Sequence, residues 1–503
     1  MDDYPTAGNP TDATSSSLGS QGGLALENAT IVSTGAYVPV LRLPRDTIAQ
    51  AWGRGSLGGE RAVANHDEDS LTMAVEAAAD CLVGIDRASV DAVHFASTSA
   101  PYREKQTASL LAAALDLRAE IATTDFGNSL RAGTNALLAA FNAVKAGAAE
   151  SVLVVAADCR LGYPRSDQEQ AFGDAAAAVL VGRSADGAAL VASYSSCNAM
   201  MDVWRKDTDS YVRTWEDRWV QTVAWSPTVK TALTVALERA GIAIGAIDRL
   251  VLSGGSPASQ SRLVKSSGLP ADAWQDNFTH SIGDTGAAHA LLGLGEALQA
   301  VAAGGIVTVV SYGDGADALV LRAGALPQPV TGQRGIEGFL ASKRELPSYQ
   351  RYLAARNLVD IVPGEPFRLF PSATASWRDE PSAMRCRASR CRVCGTTAFP
   401  IQRVCYTCHS KDEFDEIRLS DQRGTVFTYS VDTLAGRGDD PTIVQTVVEM
   451  DESKARVYGL MTDCDPWQVS VGMPVELAFR RMYEGAGFYN YFWKCRPIRG
   501  GGK

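Results

Sequence analysis

Two stretches of the first 325 residues repeat one pattern, and this internal repeat restricts the chain to few folds. Each copy reads as a strand rich in β-branched residues, then an Ala- and Leu-rich helix, then a second buried strand. These segments are residues 89–97, 130–138 and 151–158 in the first copy, and 247–253, 284–292 and 305–311 in the second. Apolar strands that alternate with helices predict parallel sheets covered on both faces, and two such halves would enclose a cleft. The alternative is one large α/β sheet whose strand–helix–strand units resemble each other by chance.

Length and charge narrow the choice of class further. A chain of 503 residues exceeds one ordinary core, so two or three domains are expected. Apolar runs such as Ser151–Ala157 have strand length and fall far short of the ~20 residues that cross a bilayer. The formal charge of −10 argues against nucleic acid or an anionic membrane as the partner of the whole surface. The polar residues 1–24 predict a disordered tail.

The texture of the sequence changes after about Leu326. A charged helical stretch at 336–359 is followed by an irregular segment that contains Pro, Ser and Trp and is typical of a linker. Four strand candidates then follow, at 425–431, 442–450, 455–461 and 474–479, separated by Gly, Asp and Pro. This pattern predicts a small β-barrel at the end of the chain.

Four of the ten cysteines form two C-x-x-C pairs, Cys391 with Cys394 and Cys405 with Cys408. Two such pairs place four thiolates around one tetrahedral ion, so the spacing predicts a structural Zn²⁺ site. The other cysteines are scattered, which favours a reducing cytoplasm over a secreted disulfide framework. A dithiol redox pair is the alternative, but it does not account for two identical spacings.

Basic side chains surround the cysteine pairs, namely Arg385, Arg387, Arg390, Arg392, Arg403 and Lys411. A basic ribbon ahead of a barrel is typical of nucleic-acid-binding modules, and it equally suits the phosphates of coenzyme A. A solvated basic surface is the third interpretation. The acidic charge of the whole chain argues against nucleic acid.

The segment from Ala388 to Ile498 resembles the zinc-ribbon/OB-fold proteins that accompany thiolase-fold enzymes. The resemblance is carried by the cysteine pairs, the strand Gly424–Val431 and the segments Cys464–Trp467 and Val471–Val475. It implies that this part of the chain helps to hold or deliver an acyl-CoA.

The region from about Leu26 to Val359 resembles archaeal-type hydroxymethylglutaryl-CoA synthases. The matching stretches are residues 31–39, 99–102, 131–134, 202–207, 282–285, 311–315 and 347–352. This resemblance implies an α/β chain with the duplicated five-layer αβαβα thiolase-like fold. The expected organisation is a tail at 1–24, a thiolase-like domain at 25–360, a linker at 361–385, a zinc ribbon at 386–413 and an all-β OB-fold barrel at 414–503.

The catalytic residues of that family are not found at the matching positions. The cysteine that becomes acylated falls on Leu130, the glutamate on Thr98, the histidine on Ser253 and the asparagine on Asp284. A leucine cannot carry an acyl group, and neither Thr98 nor Ser253 is a base near neutral pH without help. We therefore expect chemistry that does not pass through an acyl-cysteine.

Asp284 is the best-placed acid or base among these residues. It precedes a helix whose dipole keeps it ionised, which suits a base or a charge stabiliser, and we expect it to be the only charged group at the cleft floor. The alternative is that it only caps that helix. Ser253 and a tyrosine, either Tyr312 or Tyr163, are further candidates for proton transfer, and Thr98 completes the catalytic set.

Two neighbours of the missing cysteine have separate expectations. Leu130 and Arg131 are expected to contact the substrate. Ser129 is the alternative position for acylation, although a side chain beside the nucleophile on a strand-to-helix turn usually points away.

These observations predict a cytoplasmic transferase or aldolase that makes or breaks a carbon–carbon bond on an acyl-CoA in a specialised biosynthetic pathway. The expected substrate is an acyl-CoA or an acyl carrier, with no membrane partner. Two other functions stay open, a Ser129-dependent acyltransferase or Claisen-type synthase and a non-catalytic acyl-CoA-binding scaffold subunit. A homodimer is expected, paired through the sheet edge that ends in strands like Ser151–Ala157.

Overall fold

The computed structural model describes residues 29–270, 272–325, 332–361 and 371–499. The predicted tail at 1–24 lies outside the described residues, as do residues 362–370 of the predicted linker. No helix in these ranges is long and apolar enough to cross a bilayer.

The α/β body contains both copies of the repeat. The first half contains β1 (Ala29–Tyr37), β2 (Leu41–Pro44), α1 (Arg45–Trp52), β3 (Glu60–Val63), α2 (Ser70–Cys81), β4 (Ala92–Ala96), α3 (Thr107–Ala114), β5 (Ala122–Phe126), α4 (Ala132–Lys145), β6 (Val152–Asp158), α5 (Asp167–Ala171) and β7 (Ala175–Arg183). The second half contains β8 (Ala188–Cys197), β9 (Val203–Trp204), β10 (Arg213–Thr214), α6 (Asp217–Val220), α7 (Ser226–Ala240), β11 (Arg249–Ser253), α8 (Pro257–Ser267), α9 (His289–Ala300), β12 (Ile306–Tyr312) and β13 (Gly315–Arg322). The repeated segments therefore become β4, α4 and β6 in one half and β11, α9 and β12 in the other.

Nine of these strands form one sheet in the order β11-β12-β13-β8-β1-β7-β6-β4-β5. β1 joins the halves, because it pairs along its length with β7 and through Thr30 and Ile31 with β8. Helices α4 and α9 pack together between the halves, α2 and α3 cover the outer face of the first half, and α7 covers the second. With α4 and α9 between the two halves of the sheet and further helices on the outside, the body confirms the predicted thiolase-like α/β fold.

The edge of the sheet differs from the prediction. β6, which contains most of the stretch Ser151–Ala157, is fully buried between β7 and β4 and is not an edge strand. β5 is the edge strand on this side of the sheet, and most of its side chains are exposed. β6 is apolar throughout because helices cover both of its faces. An apolar run therefore shows that a strand is covered, but it does not show whether the strand is central or at the edge of the sheet.

The rest of the chain surrounds one side of the body. It contains α10 (Gly335–Ala341), β14 (Arg344–Glu345), α11 (Tyr349–Ala355), α12 (Ala373–Ala383), β15 (Arg387–Cys391), β16 (Thr397–Ala398), β17 (Phe414–Arg418), β18 (Arg423–Asp432), β19 (Ile443–Met450), β20 (Arg456–Met461), β21 (Pro474–Gly485) and β22 (Phe488–Pro497). The last five strands close a barrel in the order β18-β19-β20-β22-β21, which confirms the predicted OB-fold. β17, which the predicted boundary assigned to the barrel, pairs instead with the ribbon strand β15.

The barrel is joined to the body by a buried cluster of charges around Arg480. The guanidinium of Arg480 is fully buried and lies 3.2 Å from Glu68, 3.1 Å from Glu76 and 2.9 Å from Asp463. Glu76 lies on α2, which packs against the barrel strand β21. Asp69 caps the start of this buried helix by accepting the Thr72 amide at 2.9 Å. Two further ion pairs cross the same interface, Lys494 with Asp67 at 2.8 Å and Arg496 with Glu76 at 2.7 Å.

We predict that Arg480→Met strongly destabilises the folded chain. The substitution leaves buried carboxylates without their cation, which typically lowers the free energy of unfolding by about 3–5 kcal/mol. The measurement is chemical denaturation at neutral pH. Arg378→Met is the matched control, because Arg378 pairs with Asp379 while its side chain is 74% exposed, and no measurable change is expected there. Equal unfolding midpoints for the two variants would contradict the prediction.

Candidate functional site

The start of α4 and the ends of β11 and β12 meet in the cleft between the two halves of the body. Gly313, directly after β12, approaches Leu130 so closely that an added Cβ would lie 3.0 Å from the Leu130 Cβ. Gly254, directly after Ser253, lies equally close to Tyr312, with a Cβ contact of 3.1 Å. The structure therefore brings Leu130, Ser253 and Tyr312 near one another. The repeat predicted that helix starts and strand ends converge here, and the family resemblance supplied Leu130 and Ser253.

Arg131 is held by the second half of the body. Its guanidinium lies 3.0 Å from Asp317, a fully buried residue of β13 that also accepts hydrogen bonds from Thr134 at 2.7 Å and Asn135 at 2.5 Å. Only 14% of the Arg131 side chain is exposed. This geometry makes Arg131 a buried link between α4 and β13, whereas the sequence placed it against the substrate.

A second group of polar residues lies around Asp158 at the end of β6. This carboxylate is fully buried and accepts hydrogen bonds from the hydroxyls of Ser97, Thr98 and Ser99 at 2.7–3.0 Å. It also accepts the amides of Thr98 at 2.7 Å and Ala287 at 2.8 Å. Five donors satisfy the carboxylate, and they tie the β4 end that carries Thr98 to the 3₁₀ turn Gly286–Ala288 that precedes α9.

Asp284 lies at the other end of that turn. Its Oδ1 accepts the Gly286 amide at 2.9 Å, and its Oδ2 lies 3.6 Å from the guanidinium of Arg160. The Asp284 side chain is 31% exposed, whereas that of Arg160 is 3% exposed and stacks over Phe172 at 4.1 Å. Asp284 therefore caps the turn, and its carboxylate stays partly exposed.

The expectation that Asp284 is the only charged group here is wrong. Asp158 and Arg160 are both buried beside it, and an added Cβ on Gly286 would lie 2.3 Å from Asp158 and 2.9 Å from Arg160. Neither residue stands out in the sequence, because polar residues are common at the end of a buried strand. Two charged residues, Asp158 and Arg160, directly after a fully apolar run are the sequence pattern that could have identified them.

The two candidate tyrosines differ in their surroundings. Tyr312 is buried and donates to Asp202 Oδ2 at 2.8 Å; burial and this hydrogen bond raise the Tyr312 pKa well above its usual value. Tyr312 is therefore held as a neutral phenol. Tyr163 is 39% exposed and stacks on Tyr211 with a centroid distance of 4.8 Å.

Ser129 has no activating base among the described residues. Its hydroxyl oxygen lies 3.5 Å from the Arg131 amide, and no histidine or carboxylate in the described part of the chain forms a hydrogen bond with it. Nucleophilic serines normally depend on such a base.

The four cysteines of the two pairs meet at one point of the ribbon, with ligand sulfurs all within 4.8 Å of one another. Sulfur separations are 3.6 Å for Cys391–Cys408 and 3.5 Å for Cys394–Cys405. Four Zn–S bonds of ~2.3 Å in a tetrahedron put the sulfurs roughly 3.8 Å apart, so the set fits this ion. The Ser410 hydroxyl, 3.1 Å from Cys391, lowers the pKa of that thiol to about 6.

The backbone turns at the two cysteine pairs are alike. Cys391 and Cys405 each accept, through their carbonyls, the amide of the residue four positions later, at 2.8 and 3.0 Å. That later residue, Gly395 or His409, has a positive φ of 76° or 61°. Two equivalent knuckles are what a four-thiolate metal site requires.

The basic residues around the knuckles are largely paired. Arg385 and Arg387 both reach Asp116 of the body, Arg392 pairs with Asp415, and Arg403 pairs with Asp412. These ion pairs neutralise much of the basic surface that the sequence predicted as a possible phosphate site. They argue against a phosphate-binding ribbon.

Comparison with known proteins agrees with both parts of the fold. Residues 125–199 match the family model of 3-oxoacyl-[acyl-carrier-protein (ACP)] synthase III, and residues 416–480 match that of the ChsH2 C-terminal OB-fold domain. The crystal structure of an HMG-CoA synthase complexed with CoA is 19% identical with a TM-score of 0.59, covering 65% of this chain and 90% of that one. The 3-oxoacyl-[acyl-carrier-protein] synthase III of Aquifex aeolicus VF5 is 23% identical with a TM-score of 0.55, covering 59% of this chain and 100% of that one.

Similar sequences point to one family. A hydroxymethylglutaryl-CoA synthase from Caldivirga maquilingensis is 29% identical over 347 residues, which cover 66% of this chain and 99% of the relative. The hydroxymethylglutaryl-CoA synthase of Thermococcus onnurineus is 31% identical over 292 residues, 57% of this chain and 83% of the relative. With this identity over most of the relative's length, the chain belongs to the hydroxymethylglutaryl-CoA synthase family.

Proposed function

We propose that this chain is an enzyme that makes or breaks a carbon–carbon bond on an acyl-CoA thioester by aldol-type chemistry, without a covalent acyl-enzyme. The observation that carries the proposal is Asp284, a partly exposed carboxylate in the cleft where family members act and where Leu130 replaces the nucleophile. An aldol reaction needs a base and a stabilised enolate, and it needs no thiolate.

In the cleavage direction the substrate is a β-hydroxyacyl thioester. Asp284 takes the proton of the β-hydroxyl, the Cα–Cβ bond breaks, and its electron pair moves into the thioester as an enolate. A carbonyl product leaves, and a proton returns to Cα to give the shortened acyl-CoA. Backbone amides at the start of α4, where the helix dipole favours negative charge, hold the enolate oxygen. Synthesis is the same sequence reversed.

The surrounding groups have supporting roles in this proposal. Arg160, whose guanidinium lies 3.6 Å from the Asp284 carboxylate, holds that carboxylate in position. Thr98, bound to Asp158, and Ser253 orient the polar end of the substrate. The raised pKa of Tyr312 keeps its phenol neutral beside Asp202 and makes it a poor proton donor. Its role in this proposal is therefore to position the substrate.

A Ser129-dependent acyltransferase has less support, because Ser129 lacks a base among the described residues. A non-catalytic acyl-CoA-binding subunit is the remaining alternative. Turnover measurements on matched variants separate the three functions.

We predict that Asp284→Asn lowers kcat by roughly 10²–10⁴-fold, as expected for loss of a general base. Ser129→Ala is the matched control and should retain near-normal turnover, because no bond forms there. Leu130→Ala should alter the acyl-chain preference without abolishing activity. The assay follows release of an aldehyde or ketone from β-hydroxyacyl-CoAs, with intact mass to detect any acyl adduct.

The opposite pattern, an inactive Ser129→Ala with an acyl adduct on the wild type, assigns the acyltransferase. Normal acyl-CoA binding with no turnover by the wild type on any thioester supports the silent subunit.

We also propose that the four cysteines bind one structural Zn²⁺. Elemental analysis should find one zinc per chain, and Cys405→Ser should lose the metal and unfold the ribbon, since a segment this small has little core of its own. Cys197→Ser, a change at an exposed cysteine outside the site, is the control. Full zinc content in Cys405→Ser would refute the site.

A symmetric dimer through β5 is the third proposal, because β5 is an exposed sheet edge with unpaired backbone groups. Light scattering at micromolar concentration should give twice the chain mass of 53.3 kDa. Thr124→Lys places a charge on this edge and should favour the monomer, while Thr433→Lys on an exposed barrel loop should not. A monomeric wild type would count against the proposal.

A further inference from the structure

A cavity of about 1510 Å³ lies outside the cleft, between α3 of the body, helix α12 and the barrel. Pockets for drug-sized ligands usually measure roughly 300–1,000 Å³, so this space is large enough for a long chain. Leu130, Ser253 and Asp284 do not line it. The cavity is thus separate from the cleft that contains these three residues.

The cavity has apolar side chains on each of its walls. Leu110 comes from α3, Met384 follows α12, and the barrel contributes Leu460, Met482, Phe488 and Phe492. Each of these side chains is only partly buried, and Phe488 at the β21–β22 turn is 36% exposed. Apolar groups from three separate units therefore face one space with unfilled contacts, an arrangement typical of ligand pockets.

The flexible thioether of Met482 lets the wall adapt to chains of different shape. Charges of both signs lie on the lining: Lys105, Arg344, Glu104 and Glu484 have no ion-pair partner among the described residues. The walls thus offer apolar contacts to a chain and charges of both signs to its polar end.

One loop connects the cavity with the cleft. Thr98 at its start is bound to Asp158, and Tyr102 at its end lines the cavity and accepts the Tyr489 amide of the barrel at 2.7 Å. This contact fixes the cavity wall to the body, so the space is formed before any ligand arrives.

From these observations we propose that the cavity is a second binding site of the chain and takes the apolar chain of an amphipathic small molecule, of the fatty-acyl class. The inference goes beyond the proposed chemistry and does not need turnover in the cleft. The walls supply dispersion contacts and exclude water along the chain, and the polar end remains at the charged rim.

The test is fluorescence titration of the full chain with cis-parinaric acid, an anionic polyene fatty acid, and with its neutral methyl ester. We expect one bound probe per chain. Met482→Trp fills the cavity and Phe488→Ser removes apolar contact at its edge, and each should weaken binding roughly tenfold. Leu130→Trp fills the cleft and should leave the affinity within about twofold of the wild-type value. Thermal unfolding verifies that each variant is folded.

Several results would overturn the inference. Loss of probe binding in Leu130→Trp with normal binding in Met482→Trp places the probe in the cleft. Unchanged binding in all three variants shows attachment elsewhere on the surface, and no binding of either probe by the wild type removes the site. A preference for the acid over the ester identifies an anionic end group, and equal affinities identify the apolar chain as the sole determinant, both within the proposal. An inactive enzyme that still binds the probe in the expected pattern refutes the proposed function alone.

Discussion

The buried cation Arg480 holds the barrel against the α/β body, and much of the remaining structure depends on that contact. Glu68 and Glu76 come from the body and Asp463 from the barrel, so one guanidinium neutralises carboxylates from both units. A folded protein tolerates charges buried this deeply only when they are paired. Docking is therefore specific in position, since a shifted barrel would leave several carboxylates unpaired.

This fixed position shapes the surface around the cleft. Arg481, next to Arg480, donates to the His66 carbonyl at 2.7 Å, and Tyr489 donates its amide to Tyr102. The loop that runs from Thr98 to Tyr102 is thus held at the Asp158 cluster on one side and at the barrel on the other. The barrel also closes one wall of the large cavity, which has no counterpart in the body alone because much of its apolar lining consists of barrel residues.

The sequence predicts well what local patterns encode. The repeat identified the two halves and the convergence of helix starts with strand ends, and the family resemblance supplied Leu130 and Ser253. The spacing of Cys391 to Cys408 identified the four-cysteine cluster. It did not reveal the edge strand β5 or the pairing of the ribbon arginines, because both depend on which distant segments become neighbours. The cluster around Arg480 was not predicted for the same reason: Glu76 lies 404 positions from Arg480 along the chain, and no periodicity links the two.

Asp158 and Asp284 differ in how fully neighbouring groups engage their carboxylates. Five donors engage both oxygens of Asp158, so this carboxylate fixes the turn and the Thr98 loop in place. Asp284 accepts one backbone amide, faces Arg160 at a loose 3.6 Å and remains partly exposed. A carboxylate needs such an open lone pair to act as a base. Asp158 is thus fixed by its donors, whereas Asp284 keeps the exposed oxygen that the proposed aldol chemistry requires of its base.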